Sequence, residues 1–194
     1  MWSSTRWPAE TALATALLLA LPAGVQASTG AQASPSASAH PQLPGSRLQG
    51  QATMRYWGLR VYQARLWTQP DFQPGKMTEQ PLALELHYLI DLQGGAIAER
   101  SLQEMRRAAS IPAAQADRWL SAMQRLFPDV KSGERLTGVL QPGKGVRFWH
   151  NERPIGEVAD AEFARLFFGI WLAPTTSEPD MRLALLGLGD AGKR

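Results

Sequence analysis

Residues 50–67 read GQATMRYWGLRVYQARLW, and this stretch is the most informative part of the sequence about the fold. It predicts two extended segments that meet at Gly58, because the residues after the glycine alternate as they do in a strand. One face would carry Arg60, Tyr62, Ala64 and Leu66, and the other Leu59, Val61, Gln63, Arg65 and Trp67. Neither face is purely polar, so we expect both to be at least partly covered. Arginines buried there would need a protein carboxylate or an acidic ligand as acceptor.

The rest of the chain predicts an α+β domain. Alternating apolar residues identify its strands, and apolar residues three and four apart identify its helices. Asp160 is a favourable N-cap for the most apolar helix, which we expect to be buried on most sides. The patterns predict strands at 82–92, 135–141, 146–150 and 154–158, and helices at 96–109, 113–127, 161–173 and 181–186. An antiparallel sheet with helices packed on one face follows.

The first residues have the features of an export signal. Arg6 precedes an apolar run at 11–21, and the small residues Val25 and Ala27 suit a cleavage site. The run is too short to span a bilayer. We therefore predict a cleaved signal peptide over residues 1–27, a periplasmic protein, and no integral membrane segment after cleavage.

The segment after the signal peptide predicts a linker. Residues 28–47 are rich in Ser, Ala and Pro and lack the apolar content needed for a core, so they predict a flexible tether. His40 lies in this tether and is expected to be solvated. The folded domain would then span residues 48–187, with a frayed tail at 188–194.

The composition excludes several kinds of site. The 194-residue chain has no cysteine, which excludes disulfides, thiolate nucleophiles and cysteine-bound metals. Its formal charge is +3 without any run of Lys or Arg, which argues against a nucleic-acid partner. His87 and His150 lack an obvious third ligand, and residues 142–145 indicate a hairpin turn and not a phosphate loop. No metal or cofactor is predicted.

Several short motifs occur in the order and spacing of one known family. They are Arg55, VYQARLW at 61–67, Tyr88, AERS at 98–101, FPDV at 127–130, GVRF at 145–148, GEV at 156–158 and FFGIWL at 167–172. Through these motifs the chain resembles the bacterial chalcone isomerase-like proteins over residues 48–187. The resemblance implies an open-faced β-sandwich, in which helices pack on one face of an antiparallel sheet with a ligand cleft between them.

The resemblance also implies two kinds of activity. Plant enzymes of the superfamily cyclise chalcones to flavanones, whereas plastid relatives bind fatty acids without catalysis and hold the carboxylate with Arg and Tyr. Arg55 is the best candidate for that arginine, and Tyr62 occupies the family's Val-Tyr position. The enzymes use a Thr a few residues before this Tyr. Residues 56–58 contain no Thr or Ser and place Trp57 there instead, which favours binding over cyclisation.

Each candidate site residue has a structural alternative. The candidate ligand-binding residues are Arg55, Trp57, Tyr62, Tyr88 and Arg100. The arginines would bind an acidic head group, or else pair with carboxylates such as Glu85 or Glu104. The tyrosines would donate to the same anion, or else pack in the core. Trp57 would line an apolar pocket, or else take part in ordinary packing. No catalytic residue is assigned.

Three hypotheses for the function follow. The first is a binder or carrier of a small apolar or amphipathic molecule with an acidic head, held by Arg55 and Tyr62. The second is an isomerase of chalcone-like phenolic or enone substrates, in which Arg55 stabilises an oxyanion and a tyrosine assists proton transfer. The third is a scaffold that acts through its surface. A continuous apolar cavity would argue against the scaffold, and a hydroxyl-lined, water-accessible cleft beside Arg55 would favour the isomerase. Because the cyclising Thr is missing, binding is preferred.

Overall fold

In the part of the chain that the structure describes, six antiparallel strands form one meandering sheet, in which each strand pairs with the next along the chain. The structure is a computed structural model, and it describes residues 39–189. The strands are β1 (Arg47–Tyr56), β2 (Leu59–Thr68), β3 (Leu82–Tyr88), β4 (Arg135–Gln141), β5 (Gly145–His150) and β6 (Arg153–Val158). The two segments that meet at Gly58 are thus β1 and β2, and the predicted antiparallel sheet is confirmed.

Four α-helices within residues 39–189 accompany the sheet. They are α1 (Gly94–Ala108), α2 (Ala113–Leu126), α3 (Ala161–Leu172) and α4 (Pro179–Leu185). Their apolar side chains join those of the inner sheet face in one core, so the predicted α+β architecture with helices on one face is confirmed. A short 3-10 helix, Pro74–Glu79, lies between β2 and β3. Within residues 39–189, no helix has both the length and the apolar composition needed to cross a bilayer.

A β-bulge at Val61 determines which side chains of the β1–β2 hairpin face inward. Arg55 opposes Arg60, but the residue before Arg55 opposes Tyr62, so Val61 has no partner of its own. This extra residue reverses the alternation beyond it. Leu59 therefore shares the inner face with Tyr62, and Arg60 lies on the outer face. Strict alternation predicted that Arg60 would share a face with Tyr62 and that Leu59 would lie on the other face. The prediction is wrong for both residues.

Strand β3 is shorter than predicted. It ends at Tyr88 and not at residue 92, because the chain then leaves the sheet. The Leu89 N–H still bonds the Val61 carbonyl at 2.9 Å, and Leu92 forms an isolated antiparallel bridge with Val130. Within the observed strand the predicted alternation holds, since Leu82, Leu84, Leu86 and Tyr88 face the core and are between 0 and 8% exposed.

Aromatic rings of α3 join the helices to the sheet. Phe167 lies at their centre, with ring centroids 5.3 to 6.3 Å from those of its neighbours. The rings around it are Phe127, Phe148, Phe163, Phe168 and Trp171. Most of these contacts are edge-to-face, an arrangement that adds to the stabilisation from area burial. The expectation that this helix is buried on most sides is confirmed.

Asp160 fixes the start of α3 and its contact with α2. One carboxylate oxygen accepts the backbone N–H groups of Glu162 at 2.9 Å and Phe163 at 3.0 Å, as the predicted N-cap requires. The other oxygen accepts the indole N–H of Trp119 at 2.9 Å. The same side chain therefore caps one helix and holds the other beside it.

The segment before β1 covers part of the outer sheet face. A small second core on that face consists of Leu43, Ala83 and Val139. His40 is 3% exposed, and its ring centroid lies 5.6 Å from that of Trp67. The predictions of a solvated His40 and of a tether that includes residues 39–46 are therefore wrong, because these residues bury apolar and aromatic surface on the sheet. The predicted signal peptide, the earlier part of the predicted tether and the last residues of the predicted tail lie outside the described residues.

Glu85 is the charged centre of the outer face. Its carboxylate lies 3.6 Å from His40, 3.4 Å from Arg65 and 3.8 Å from Arg135, measured between nitrogen and oxygen. Burial by itself would raise the pKa of this carboxyl, but the imidazole and the two guanidinium groups outweigh it and hold the pKa below its usual value.

We expect this lowered pKa to make stability depend on pH. The contribution of Glu85 to the free energy of unfolding is complete above the unfolded value of 4.5 and is lost as the pH falls through the lower folded value. Glu85→Gln should therefore reduce the free energy of unfolding at neutral pH and flatten its decline below about pH 5. Urea unfolding at several pH values measures both effects. Glu99→Gln, at an exposed position on α1, is the control. An equally steep decline in Glu85→Gln would contradict this account.

Candidate functional site

An apolar cavity of about 340 Å³ lies between the inner face of the sheet and helices α1 and α3. Pockets for small molecules typically enclose roughly 300–1,000 Å³. Apolar lining residues include Leu84, Leu86, Ile97, Leu136, Phe148 and Phe167. Tyr56 and Leu59 also line the cavity, although they are 59% and 56% exposed, so they form part of its rim. The cavity therefore has the size and the lining to hold an apolar molecule.

Tyr62 places a buried hydroxyl among the polar groups of the cavity. Its oxygen accepts the indole N–H of Trp171 at 2.9 Å. Burial raises the pKa of Tyr62 to about 12, although the Trp171 hydrogen bond acts in the opposite direction. The charges of Glu178, Arg100 and Glu104 also act on this hydroxyl. Tyr62 is consequently protonated at neutral pH, and its own O–H remains a hydrogen-bond donor.

Arg100 belongs to a charged cluster on the cavity side of α1. Its Nη2 lies 2.7 Å from Glu104 Oε1, and the second oxygen of Glu104 lies 3.5 Å from Arg107 Nε. That second oxygen also accepts the hydroxyl of Ser177 at 2.9 Å. The Glu104 side chain is only 9% exposed, whereas that of Arg100 is 55% exposed. Because two guanidinium groups share one carboxylate, Arg100 keeps N–H donors that Glu104 does not use.

Tyr88 lies directly opposite Tyr62 on the neighbouring strand. Its side chain is 2% exposed, and the two phenol rings meet edge-to-face with centroids 5.9 Å apart. Burial raises the pKa of Tyr88 far above its ordinary value, and the neighbouring Tyr62 raises it further. Tyr88 is thus a neutral phenol that lines the inner part of the cavity.

The structure brings together three of the five predicted site residues. Those that line the cavity are Tyr62, Tyr88 and Arg100. Arg55 does not line it, because the residues on either side of it, Met54 and Tyr56, face inward and alternation turns Arg55 to the outer face. Among the residues that the structure describes, the arginine that lines the cavity is therefore Arg100. The alternative in which Arg100 pairs with Glu104 is also observed.

Trp57 also lies outside the cavity. It occupies the turn between β1 and β2 with a φ of 50°, and its side chain is 91% exposed. At this position the side chain extends away from the protein, so it cannot line the pocket as predicted. The reason is local, since a residue in a two-residue hairpin turn belongs to neither strand face.

The site also contains three residues that the sequence analysis did not identify as candidate ligand-binding residues. Trp171 was identified only within the FFGIWL motif at 167–172, and nothing local indicated that its N–H would meet Tyr62. Glu104 was identified only as an ion-pair partner, although its spacing of four from Arg100 was a signal for the pair. Ser177 lies in a loop with no motif. Within residues 39–189, no three His, Asp or Glu side chains are grouped as metal ligands would be.

Comparisons with known proteins agree with this fold. A family model described as chalcone isomerase-like matches residues 35–187. An uncharacterised protein of Haemophilus influenzae is 30% identical over 109 residues, which cover 56% of this chain and 53% of that protein. The alignment thus spans about half the length of that relative.

Among solved structures, a crystal structure of a fatty-acid binding protein from Arabidopsis thaliana has a similar fold. The TM-score is 0.57 at 12% sequence identity, and the match covers 78% of this chain and 98% of the other. At this identity the similarity concerns the fold alone. The family match extends over most of the chain and includes every strand and helix described above. The chain belongs to the chalcone isomerase-like family.

Proposed function

We propose that this protein binds one elongated apolar molecule with an acidic head group, such as a fatty acid, and releases it unchanged. The observation that carries the proposal is the lining of the cavity, which is mostly apolar and has charged side chains near Tyr62, namely Arg100, Glu104 and Glu178. A continuous apolar cavity also disfavours the scaffold hypothesis. The solved neighbour is named a fatty-acid binding protein, and this supports the same class of ligand.

The apolar part of the cavity would supply most of the affinity. Each buried CH₂ group contributes about 0.8 kcal/mol, which corresponds to about a fourfold change in affinity. The lining offers leucine and phenylalanine side chains from both the sheet and α3, such as Leu84, Leu86 and Phe167. A hydrocarbon chain would therefore be bound without any specific polar contact along its length.

The polar groups would orient the head group. The oxygen of Tyr62 already accepts the Trp171 N–H, so its O–H is free to donate to a ligand carboxylate. Arg100 adds the guanidinium donors that Glu104 does not use. Charge-assisted hydrogen bonds from these two residues would hold the carboxylate near α1 and leave the hydrocarbon chain in the apolar part.

The tyrosines are poorly suited to proton transfer. General acid–base catalysis is most efficient when the catalytic pKa is near the working pH. Burial raises the pKa of Tyr62 to about 12 and that of Tyr88 further still. Arg55, which the isomerase hypothesis needs as oxyanion stabiliser, is not part of the cavity lining. These observations favour binding over isomerisation.

The proposal includes a periplasmic location. Its support is the sequence pattern of residues 1–27, in which an apolar run is followed by a small-residue cleavage site. A binder in an aqueous compartment would keep an insoluble acid in solution. The mass of the protein recovered from the cell envelope should correspond to a chain that begins near Ser28.

The test is a titration of the chain from Ser28 with saturated fatty acids of eight, ten and twelve carbons. Affinity should rise about fourfold with each methylene, and native mass spectrometry should show one molecule bound. Ile97→Trp replaces an aliphatic side chain of the cavity lining with a bulkier indole and should weaken binding of the longest acid most. Leu183→Trp, at an exposed position on α4, is the control. An affinity that does not change with chain length, or an Ile97→Trp variant that binds normally, would contradict the proposal.

A further inference from the structure

The β1–β2 hairpin extends beyond the rest of the sheet. Strand β2 pairs with β3 only from Tyr62 onward, whereas β1 and β2 remain paired as far as Tyr56 and Leu59. Residues 55–60, here called the hairpin tip, therefore project from the sheet edge. They stand next to the cavity, because Tyr56 and Leu59 form part of its rim.

The hairpin tip concentrates exposed apolar side chains. Tyr56, Trp57 and Leu59 are 59%, 91% and 56% exposed. Within residues 39–189, the other exposed large hydrophobic residues are Leu183 and Leu188, whose exposed fractions are smaller, at 37% and 41%. Exposed apolar residues grouped in this way mark an interaction surface, whereas single ones are ordinary. Tyr and Trp are the side chains enriched at the boundary between water and the membrane interior.

The charge of the tip points to an anionic partner. Arg55 and Arg60 face each other across the hairpin, an arrangement that is unfavourable for like charges. Neither has a carboxylate oxygen within 4.0 Å among residues 39–189. The sequence from 47 to 70 contains four arginines and no Asp or Glu. The protein itself therefore does little to neutralise the two cations at the tip.

The backbone of the turn indicates that Trp57 serves a purpose other than folding. The φ angles of Trp57 and Gly58 are 50° and 80°, and hairpin turns with two such positive angles strongly prefer Asn-Gly. A bulky aromatic residue at positive φ is a true outlier. The most exposed large hydrophobic residue among 39–189 thus occupies a position where it strains the turn and contacts no core.

From these observations we propose that the hairpin tip docks the protein on the surface of an anionic lipid bilayer. Trp57, Tyr56 and Leu59 enter the interfacial region, and Arg55 and Arg60 contact lipid phosphates. The rim of the cavity then faces the membrane, so that an amphipathic ligand can pass between the bilayer and the cavity. This last step rests on the proposed function, whereas the docking itself does not.

The first experiment separates docking from folding by means of Trp57→Asn. This change creates the preferred Asn-Gly turn, so the urea midpoint should rise or stay constant. Partition of the chain from Ser28 onto vesicles of phosphatidylcholine with one-quarter phosphatidylglycerol should fall roughly tenfold in a sedimentation assay. Leu183→Asn is the matched control for an exposed apolar residue. Unchanged partition in Trp57→Asn would overturn the proposal.

The second experiment tests the charges with the double variant Arg55→Gln and Arg60→Gln. Partition should fall roughly 10- to 30-fold, because each arginine near an anionic surface contributes a several-fold gain. Arg106→Gln with Arg118→Gln removes the same charge from exposed helix positions and should have little effect. Wild-type partition should also fall on pure phosphatidylcholine and at high salt.

If the two double variants lose partition onto vesicles equally, only the net charge of the protein matters, and this would overturn the proposal. Dimerisation in solution that Trp57→Asn abolishes, without any partition onto vesicles, would overturn it in favour of a second copy as partner. The vesicles contain no added ligand and the fatty-acid titration contains no vesicles, so failure of the docking proposal and failure of the proposed function are distinguishable.

Discussion

Replacing Arg100 with leucine is expected to weaken the binding of dodecanoate roughly 10- to 150-fold. Hydrogen bonds to charged groups contribute about 1.5–3 kcal/mol, and 1.4 kcal/mol is a factor of ten in affinity. Arg100 lines the cavity and retains donors that Glu104 does not use. Its removal would also leave the Glu104 carboxylate, which is 9% exposed, close to the anionic head of the ligand.

Calorimetric titration of dodecanoate and dodecanol in parallel measures this effect. The two molecules share a hydrocarbon chain, so Arg100→Leu should weaken the binding of the acid and leave that of the alcohol nearly unchanged. Arg106→Leu changes an exposed arginine of the same helix that does not line the cavity, and it serves as the control. If acid and alcohol weaken equally, or if Arg55→Leu has the larger effect on the acid, Arg100 does not bind the head group.

Replacing Phe167 with alanine is expected to produce the largest loss of stability, about 3–5 kcal/mol in the free energy of unfolding. Phe167 is 6% exposed and lies in ring contact with five other aromatic side chains from α3, from β5 and from the segment after α2. Its removal would take away both its own burial and these contacts. Since the side chain also lines the cavity, the space it leaves would join the cavity.

Urea unfolding measures this loss. Phe167→Leu keeps part of the buried volume and should have a smaller effect than Phe167→Ala. Leu183→Ala, at a position 37% exposed, should change the free energy of unfolding by less than about 0.5 kcal/mol. A loss below about 1 kcal/mol in Phe167→Ala would show that the aromatic cluster does not hold α3 on the sheet.

Much of the fold could be predicted because its signals are local. Alternation over a few residues identified β4 and β5, and the spacing of apolar residues identified α1 and α2, in each case close to the observed bounds. Asp160 was predicted as an N-cap from residue type and position alone. The strand β3 was overextended because Ile90 and Leu92 continue its alternation, although both instead line the cavity after the chain has left the sheet.

The candidate site was less predictable because it depends on register and on contacts between distant segments. A single unpaired residue, Val61, reverses the faces of the hairpin, and no periodicity shows where a bulge will occur. The bond between Tyr62 and Trp171 joins residues 109 positions apart. Arg55 was preferred because it matched the arginine that the family resemblance implies, but strand alternation turns it away from the cavity.

Patterns in the amino-acid sequence were sufficient to predict the class of fold, the order of the strands and helices, the family resemblance and the apolar character of the interior. These properties follow from short-range patterns, since a period of two or of 3.6 residues is set by backbone geometry. Three features became apparent from the folded structure and not from the sequence: Arg100 lines the cavity, His40 is buried against Trp67, and Trp57 is exposed at a projecting tip. Such outcomes depend on strand register, on bulges and on segments that meet only after folding, and the local pattern of a chain does not encode them separately.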